Sequence, residues 1–299
     1  MTITSDLHVD AALADDSTPG ATRRAVLKTG AAALGAGATG LGGLRALAQD
    51  AASPEATPEA NCVLTAELTE GPYFLDGSLI RRDITEGRPG VPLRLRILVN
   101  DPTACAPVVD AAVYLWHCDA QGFYSGVDAN QPGGDTTAEE VAEAAEASWL
   151  RGIQITDADG IVEFDTIYPG WYQGRTVHIH MRVAVDGAEG TTYEGGSIAH
   201  TGQLFFDEAV SNDVYATEAY AGRDDAQRLL NAEDGILADH EDEPGFMVEV
   251  SQLSEGAIEG GLLGLVSVGV DPSATPSAAG GGMGGPGGGP GDGGPPPQG

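Results

Sequence analysis

The chain has 299 residues, with 45 acidic against 14 basic side chains and a formal net charge of −31 at pH 7. So acidic a surface repels phosphate, which argues against nucleic acid and against an anionic membrane face as partners. The length allows one to two domains, and the composition of both ends reduces this to one. Residues 22–28 read TRRAVLK, the twin-arginine form of an export signal. A mild apolar run follows, TGAAALGAGATGLGGL, too short and too glycine-rich for a stable membrane span. The ALA at 46–48 has the small-x-small form of a cleavage site. Residues 1–48 are therefore expected to be a signal. The mature chain would begin near Gln49, carry no membrane span, and reside in the periplasm or outside the cell. Residues 49–61 read as a flexible linker. Residues 271–299, almost all Pro, Gly, Ser and Ala, cannot bury enough apolar surface to offset chain entropy and are expected to be disordered. Residues 62–270 remain as the folded domain.

Along that domain the pattern is β-rich. VPLRLRILVN (91–100) alternates apolar and polar residues, the period of a half-buried strand. DAAVYLWHCDA (110–120), GIVEFDTI (160–167), RTVHIHMRV (175–183), TGQLFF (201–206) and FMVEV (246–250) read as further strands. Helical patterns are confined to 137–149 and 224–234. Short strands between Gly, Pro and Asp turns predict a mostly β domain, an antiparallel β-sandwich with a few short helices and long loops. Cys62 and Cys105 both flank strand-like runs in turn-rich contexts, and an exported chain can keep a disulfide between them. Cys118, inside a strand pattern, reads as a buried thiol.

The strand at 175–183 raises the chemical question. In a strand, alternate residues share a face. Val177, Ile179, Met181 and Val183 would face the core, and His178, His180 and Arg182 the other side. Two neighbouring imidazoles can grip one metal ion, but two histidines on a solvated strand face would look the same. The neighbours add weight. Tyr172 follows a Pro-Gly turn that delivers it to the start of the same strand, and Tyr124 follows a strand end after another glycine turn. A phenolate is a hard anionic donor, suited to a hard trivalent ion such as Fe(III), which would depress a tyrosine pKa far below its free value of about 10.

The segments TEGPYF (69–74), GVPLRLRILV (90–99), VYLWHCDAQGFYS (113–125), LRGIQITDADGIVEFDTIYPGWYQGRTVHIH (150–180) and GQLFF (202–206), in that order, resemble the intradiol ring-cleavage dioxygenases, the family of catechol 1,2-dioxygenase and protocatechuate 3,4-dioxygenase. The resemblance implies a β-sandwich with a mononuclear non-haem Fe(III) at one edge. By motif, the metal ligands would be Tyr124, Tyr172, His178 and His180. Arg175 matches an arginine beside the substrate that stabilises developing charge. Gln203 matches a glutamine near the ring, with its spacing from His180 stretched by DGAEGTTYEGGSIAH. Tyr73 matches a loop at the pocket wall. The implied partners are a small aromatic diol and O2. Tyr172 would leave the metal as substrate enters and take a proton. The ring would open between its two hydroxylated carbons to a muconate-type diacid.

The long amino-terminal helical dimerisation region of the catechol-cleaving members is missing, and the export signal and Gly/Pro tail point to a secreted branch. Oligomeric state stays open, a homodimer included, as does the identity of the catechol. Two other readings are compatible with the residues. One is a secreted non-catalytic β-sandwich binding module with a vestigial metal site. The other is a zinc site of His178, His180 and a carboxylate.

Overall fold

The computed structural model describes residues 56–274, apart from 129–130, 134–136, 223–227, 241 and 255. The expected signal over 1–48, residues 49–55 of the linker and residues 275–299 of the tail lie outside the described residues. Nine strands are described: β1 (Pro92–Asp101), β2 (Ala106–Pro107), β3 (Ala112–Trp116), β4 (Arg151–Ile155), β5 (Ile161–Ile167), β6 (His178–Glu189), β7 (Tyr193–Phe205), β8 (Glu249–Gln252) and β9 (Leu262–Gly269). Two α-helices accompany them, α1 (Ala138–Ala145) and α2 (Glu208–Tyr215).

The strands form two sheets. One runs β4-β3-β6-β7; the other runs β2-β1-β9-β8, with β5 also paired to β1. Each pairing is antiparallel except β1 with β9, which is parallel. Alternation in β1 explains how the sheets meet. Leu93, Leu95, Ile97 and Val99 are buried in the main core, while Arg94 and Arg96 point away and pair with Glu163 and Asp165 of β5. From the facing sheet, Val113, Leu115, Ile179, Met181 and Val183 enter the same core. The predicted split of β6 therefore holds: Ile179, Met181 and Val183 face the other sheet, and His178 and His180 face outward.

That outward face is also covered. Tyr114, Trp116 and Cys118 pack there with Tyr124 and Tyr172 under Tyr73, Phe74 and Ile80 of the segment preceding β1. Arg182 of β6 ties the segment down, paired with Glu70 and lying 3.7 Å over the Phe74 ring. The sandwich thus has a second, aromatic core outside its sheets, and His178 and His180 open into it.

Several elements differ from the sequence expectations. The helix at 137–149 stops at Ala145; it starts at Thr137, whose hydroxyl and the Glu140 carboxylate form a reciprocal capping box. Over 224–234 the described part holds only one turn of 3-10 helix, Asn231–Glu233. There the Asp234 carboxylate takes the backbone N–H groups of Ile236 and Leu237, a local bond that competes with helix. Helix α2 was not anticipated; Asp207 caps it through the Ala209 N–H. β9, also unanticipated, completes the second sheet, and its parallel pairing departs from the all-antiparallel expectation. The segment that stretches the spacing between His180 and Gln203 extends β6 and β7 into one long hairpin.

Candidate metal centre

β3 delivers its chain to the site through a tight turn. The Asp119 carboxylate accepts the N–H groups of Gln121 at 2.9 Å and Phe123 at 3.0 Å, and pairs with Arg88. Tyr124 follows, its backbone held from both sides by the Gln131 amide, at 2.8 Å to its N–H and 2.7 Å to its carbonyl. The second tyrosine arrives on the loop 168–177. Gly170 docks this loop on the first: its N–H donates to the Asp119 carbonyl at 3.1 Å, and a Cβ there would lie 2.2 Å from that oxygen. Only glycine permits the approach.

The structure brings Tyr124, Tyr172, His178 and His180 together. The Tyr172 hydroxyl lies 3.0 Å from His178 Nε2. Ring centroids are 4.8 Å apart for His178 and His180, 6.1 Å for Tyr124 and His180, and 6.1 Å for Tyr124 and Tyr172. His178 Nδ1 meets the Thr176 carbonyl at 2.7 Å, which makes Nδ1–H the donor and leaves Nε2 with a lone pair directed into the site. His180 lies flat against Trp116, with centroids 5.1 Å apart and planes 5° from parallel. All four residues are buried. Among the described residues, the Tyr124 hydroxyl and both ring nitrogens of His180 meet no partner within hydrogen-bonding geometry.

Buried polar atoms are seldom left unmatched, because desolvation without a partner costs about 1–3 kcal/mol each. The Tyr124 oxygen and one nitrogen of His180, beside an inward-facing imidazole lone pair, fit a cation that would engage them together. Burial depresses both imidazoles well below their ordinary range, and neighbouring His178 and Arg175 press His180 further down. Both rings are thus neutral, the form that ligates. Burial also holds the Tyr124 and Tyr172 phenols above their ordinary value, so only a bound cation would draw their protons off. Two oxygens and two imidazole nitrogens make a hard donor set suited to Fe(III). For the zinc reading, the described residues contain no group of three or more His, Cys, Asp or Glu placed to hold a metal.

Arg175 and Gln203 stand beside this cluster. β7 pairs with β6 so that Gln203 sits opposite His180. The Gln203 amide oxygen accepts from Arg175 Nη2 at 2.6 Å, and its nitrogen donates to the Thr69 carbonyl at 2.8 Å. Arg175 Nη1 is turned toward His178 Nε2, 3.5 Å away. Tyr73 stacks on Tyr124, centroids 4.3 Å apart. Cys62 and Cys105 form a disulfide, with Cα atoms 5.1 Å apart, and Cys118 is a buried thiol packed in the aromatic core with Tyr124 and Tyr172.

Three supporting residues escaped the sequence reading. Buried Arg151 donates to the Ser125 carbonyl at 2.7 Å and the Tyr73 carbonyl at 2.7 Å, tying the Tyr124 loop to the covering segment. Trp116 stacks on His180 as described. Asp234, 59 residues beyond Arg175 in the chain, accepts from its Nε at 2.8 Å. The alternation of β3 could have placed Trp116 on the face of the histidines; no local signal points to Arg151 or Asp234.

A family model described as "Dioxygenase" matches residues 69–191, which contain all four clustered side chains. The solved structure of an intradiol ring-cleavage dioxygenase from Tetranychus urticae is 30% identical, covers 73% of this chain and 98% of its own, and superposes with a TM-score of 0.60. Catechol 1,2-dioxygenase 1 of Acinetobacter lwoffii is 28% identical over 151 residues, 43% of this chain and 44% of that protein. Chlorocatechol 1,2-dioxygenase of Pseudomonas putida is 26% identical over 157 residues, 44% of this chain and 55% of that protein. The matched region is thus about half the length of these curated relatives.

Proposed function

The chain belongs to the intradiol ring-cleavage dioxygenases, and from that premise we propose that it opens a catechol-type ring between its two hydroxylated carbons with O2, at a mononuclear non-haem Fe(III). One observation carries the iron reading: the Tyr124 hydroxyl and the His180 ring are buried without hydrogen-bond partners among the described residues, beside Tyr172 and His178. When bound, a ferric ion would supply Lewis acidity that favours the ionised catechol and makes its ring electron-rich toward dioxygen.

The protein groups divide the remaining work. Tyr124, His178 and His180 would hold the metal, each fixed from behind by Gln131, Thr176 or Trp116. Tyr172 has its hydroxyl beside His178 Nε2, and its oxygen, ionised when the metal is bound, would be the group suited to receive a proton from the incoming diol. Arg175 presents a fixed positive charge where negative charge grows on the ring, an electrostatic contribution that gains strength in a water-poor site. Tyr73, stacked on Tyr124, supplies pocket wall. Both oxygen atoms enter the product, a muconate-type dicarboxylic acid, and the balance needs no external reductant. The test is oxygen uptake by iron-loaded protein against a panel of catechols, with the product identified by mass. Iron-loaded protein that consumes oxygen with none of them would sink the reading.

Arg23 and Arg24, followed by an apolar run and the ALA at 46–48, support export through the twin-arginine route. The Cys62–Cys105 disulfide suits an oxidising compartment. The test fuses residues 1–48 to a folded reporter, which should leave the cytoplasm and should stay there when both arginines become lysine.

A further inference from the structure

We infer that Asp234 is the positioning residue of Arg175, aiming its guanidinium at the metal cluster; this rests on the functional reading above. Asp234 is fully buried, and donors meet both of its oxygens. Oδ2 accepts Arg175 Nε at 2.8 Å and the Thr176 N–H at 2.8 Å. Oδ1 accepts the N–H groups of Ile236 at 2.8 Å and Leu237 at 3.2 Å. A carboxylate so occupied cannot swing away from the arginine.

The turn that carries Asp234 is itself clamped to the site. Thr176, two residues before His178, donates its hydroxyl to the Asn231 amide oxygen at 2.6 Å, and the Asn231 amide nitrogen donates to the Phe206 carbonyl at 2.9 Å. The guanidinium plane is consequently fixed at two points. Nε goes to Asp234, Nη2 goes to Gln203, and Nη1 remains, turned toward His178. A planar cation held at two of its three nitrogens has little freedom left to rotate. The pairing also offsets the cost of keeping a mostly buried positive charge beside two imidazoles.

The three backbone N–H groups on Asp234 would satisfy a residue that merely shaped the turn. The fourth partner, Arg175, distinguishes the two roles, so the test is whether Asp234 acts through it. Asp234→Asn keeps the shape but puts an amide where donors converge. It should lower kcat by about tenfold to a hundredfold, the range for a displacement near 1 Å at a reacting centre. KM, iron per chain and the visible absorption of the resting iron protein should stay close to wild type, since all four metal-holding side chains remain. In an Arg175→Ala background the same substitution should change kcat by less than about twofold. Should Asp234→Asn fail to fold, Asp234→Ser keeps an acceptor for the turn N–H groups, as serine does at helix starts, and carries the same expectations.

Losses that multiply across the two positions would overturn the assignment. So would iron content falling in step with turnover in the Asp234 variants. A wild-type protein that turns over no catechol would remove the functional reading and this role together, whereas an active wild type with multiplying losses removes only the role of Asp234.

Discussion

The backbone of Gly71 lies against the imidazole of His180: a Cβ added at Gly71 would meet Cε1 at 3.0 Å. Gly71 also has φ +72°, a left-handed conformation that costs other residues about 1–2 kcal/mol. At His180 the covering segment can thus approach so closely only through a glycine. Gly71→Ala should weaken iron binding by pushing the His180 ring off its Trp116 platform. The check is iron per chain after dialysis against a chelator; unchanged retention would show that His180 tolerates the methyl group.

Removing a side chain proposed to hold the metal should act on iron before it acts on the fold. Tyr124→Phe deletes only a buried hydroxyl that meets no partner within hydrogen-bonding geometry among the described residues, so folding stability without iron should hold or rise. His180→Ala should lower iron content as well. Ferric iron bound by tyrosinates should colour the protein red to burgundy, and both variants should lose that absorption. If either keeps full iron and colour, the residue is not a ligand.

Arg175→Ala is expected to leave the iron in place and slow turnover, by about a hundredfold if its role is charge stabilisation at the reacting ring. Iron assay and steady-state kinetics on one preparation separate this from metal loss. Equal turnover would take Arg175 out of the chemistry.

Burial holds His200 down at about 4, against an ordinary value of 6.5, and its Nε2 has no hydrogen-bond partner among the described residues. Between these values the unfolded chain takes up a proton that the folded chain refuses. Stability is therefore complete above the unfolded value and is lost as pH falls through the folded one. The loss from this residue is about 3 kcal/mol by pH 4. Urea unfolding of wild type and His200→Gln at pH 7.5 and pH 4 should differ in pH dependence by that amount, and parallel curves would contradict the burial argument. His117, held at about 4 by the same cause, should add a similar slope to both proteins.

The Cys62–Cys105 disulfide spans 43 residues of sequence. Closing a loop of that length in the unfolded chain is worth about 4 kcal/mol by chain entropy. Cys105→Ser, or reduction, should lower stability toward urea by a value of that order, with iron content unchanged because both cysteines lie outside the metal cluster. A destabilisation below about 1 kcal/mol would mean that the rest of the fold already restrains this loop.

The sequence by itself determined the alternation of β1 and β6, and so which side chains face the core. A period of two fixes the facing of every residue once one face is apolar. It also carried the two turn-borne tyrosines and the paired histidines, because a strand writes neighbours two apart directly into the chain. Tertiary structure decided what no local pattern holds. It placed Gln203 opposite His180 through a long hairpin, and it laid β9 parallel to β1 across more than 160 residues of chain. It also brought Asp234 to Arg175 and Arg151 to the Tyr124 loop. Each of these partners is chosen by packing between distant segments. The free energy of such a contact appears only when the whole core has formed, so its sequence neighbourhood carries no trace of it.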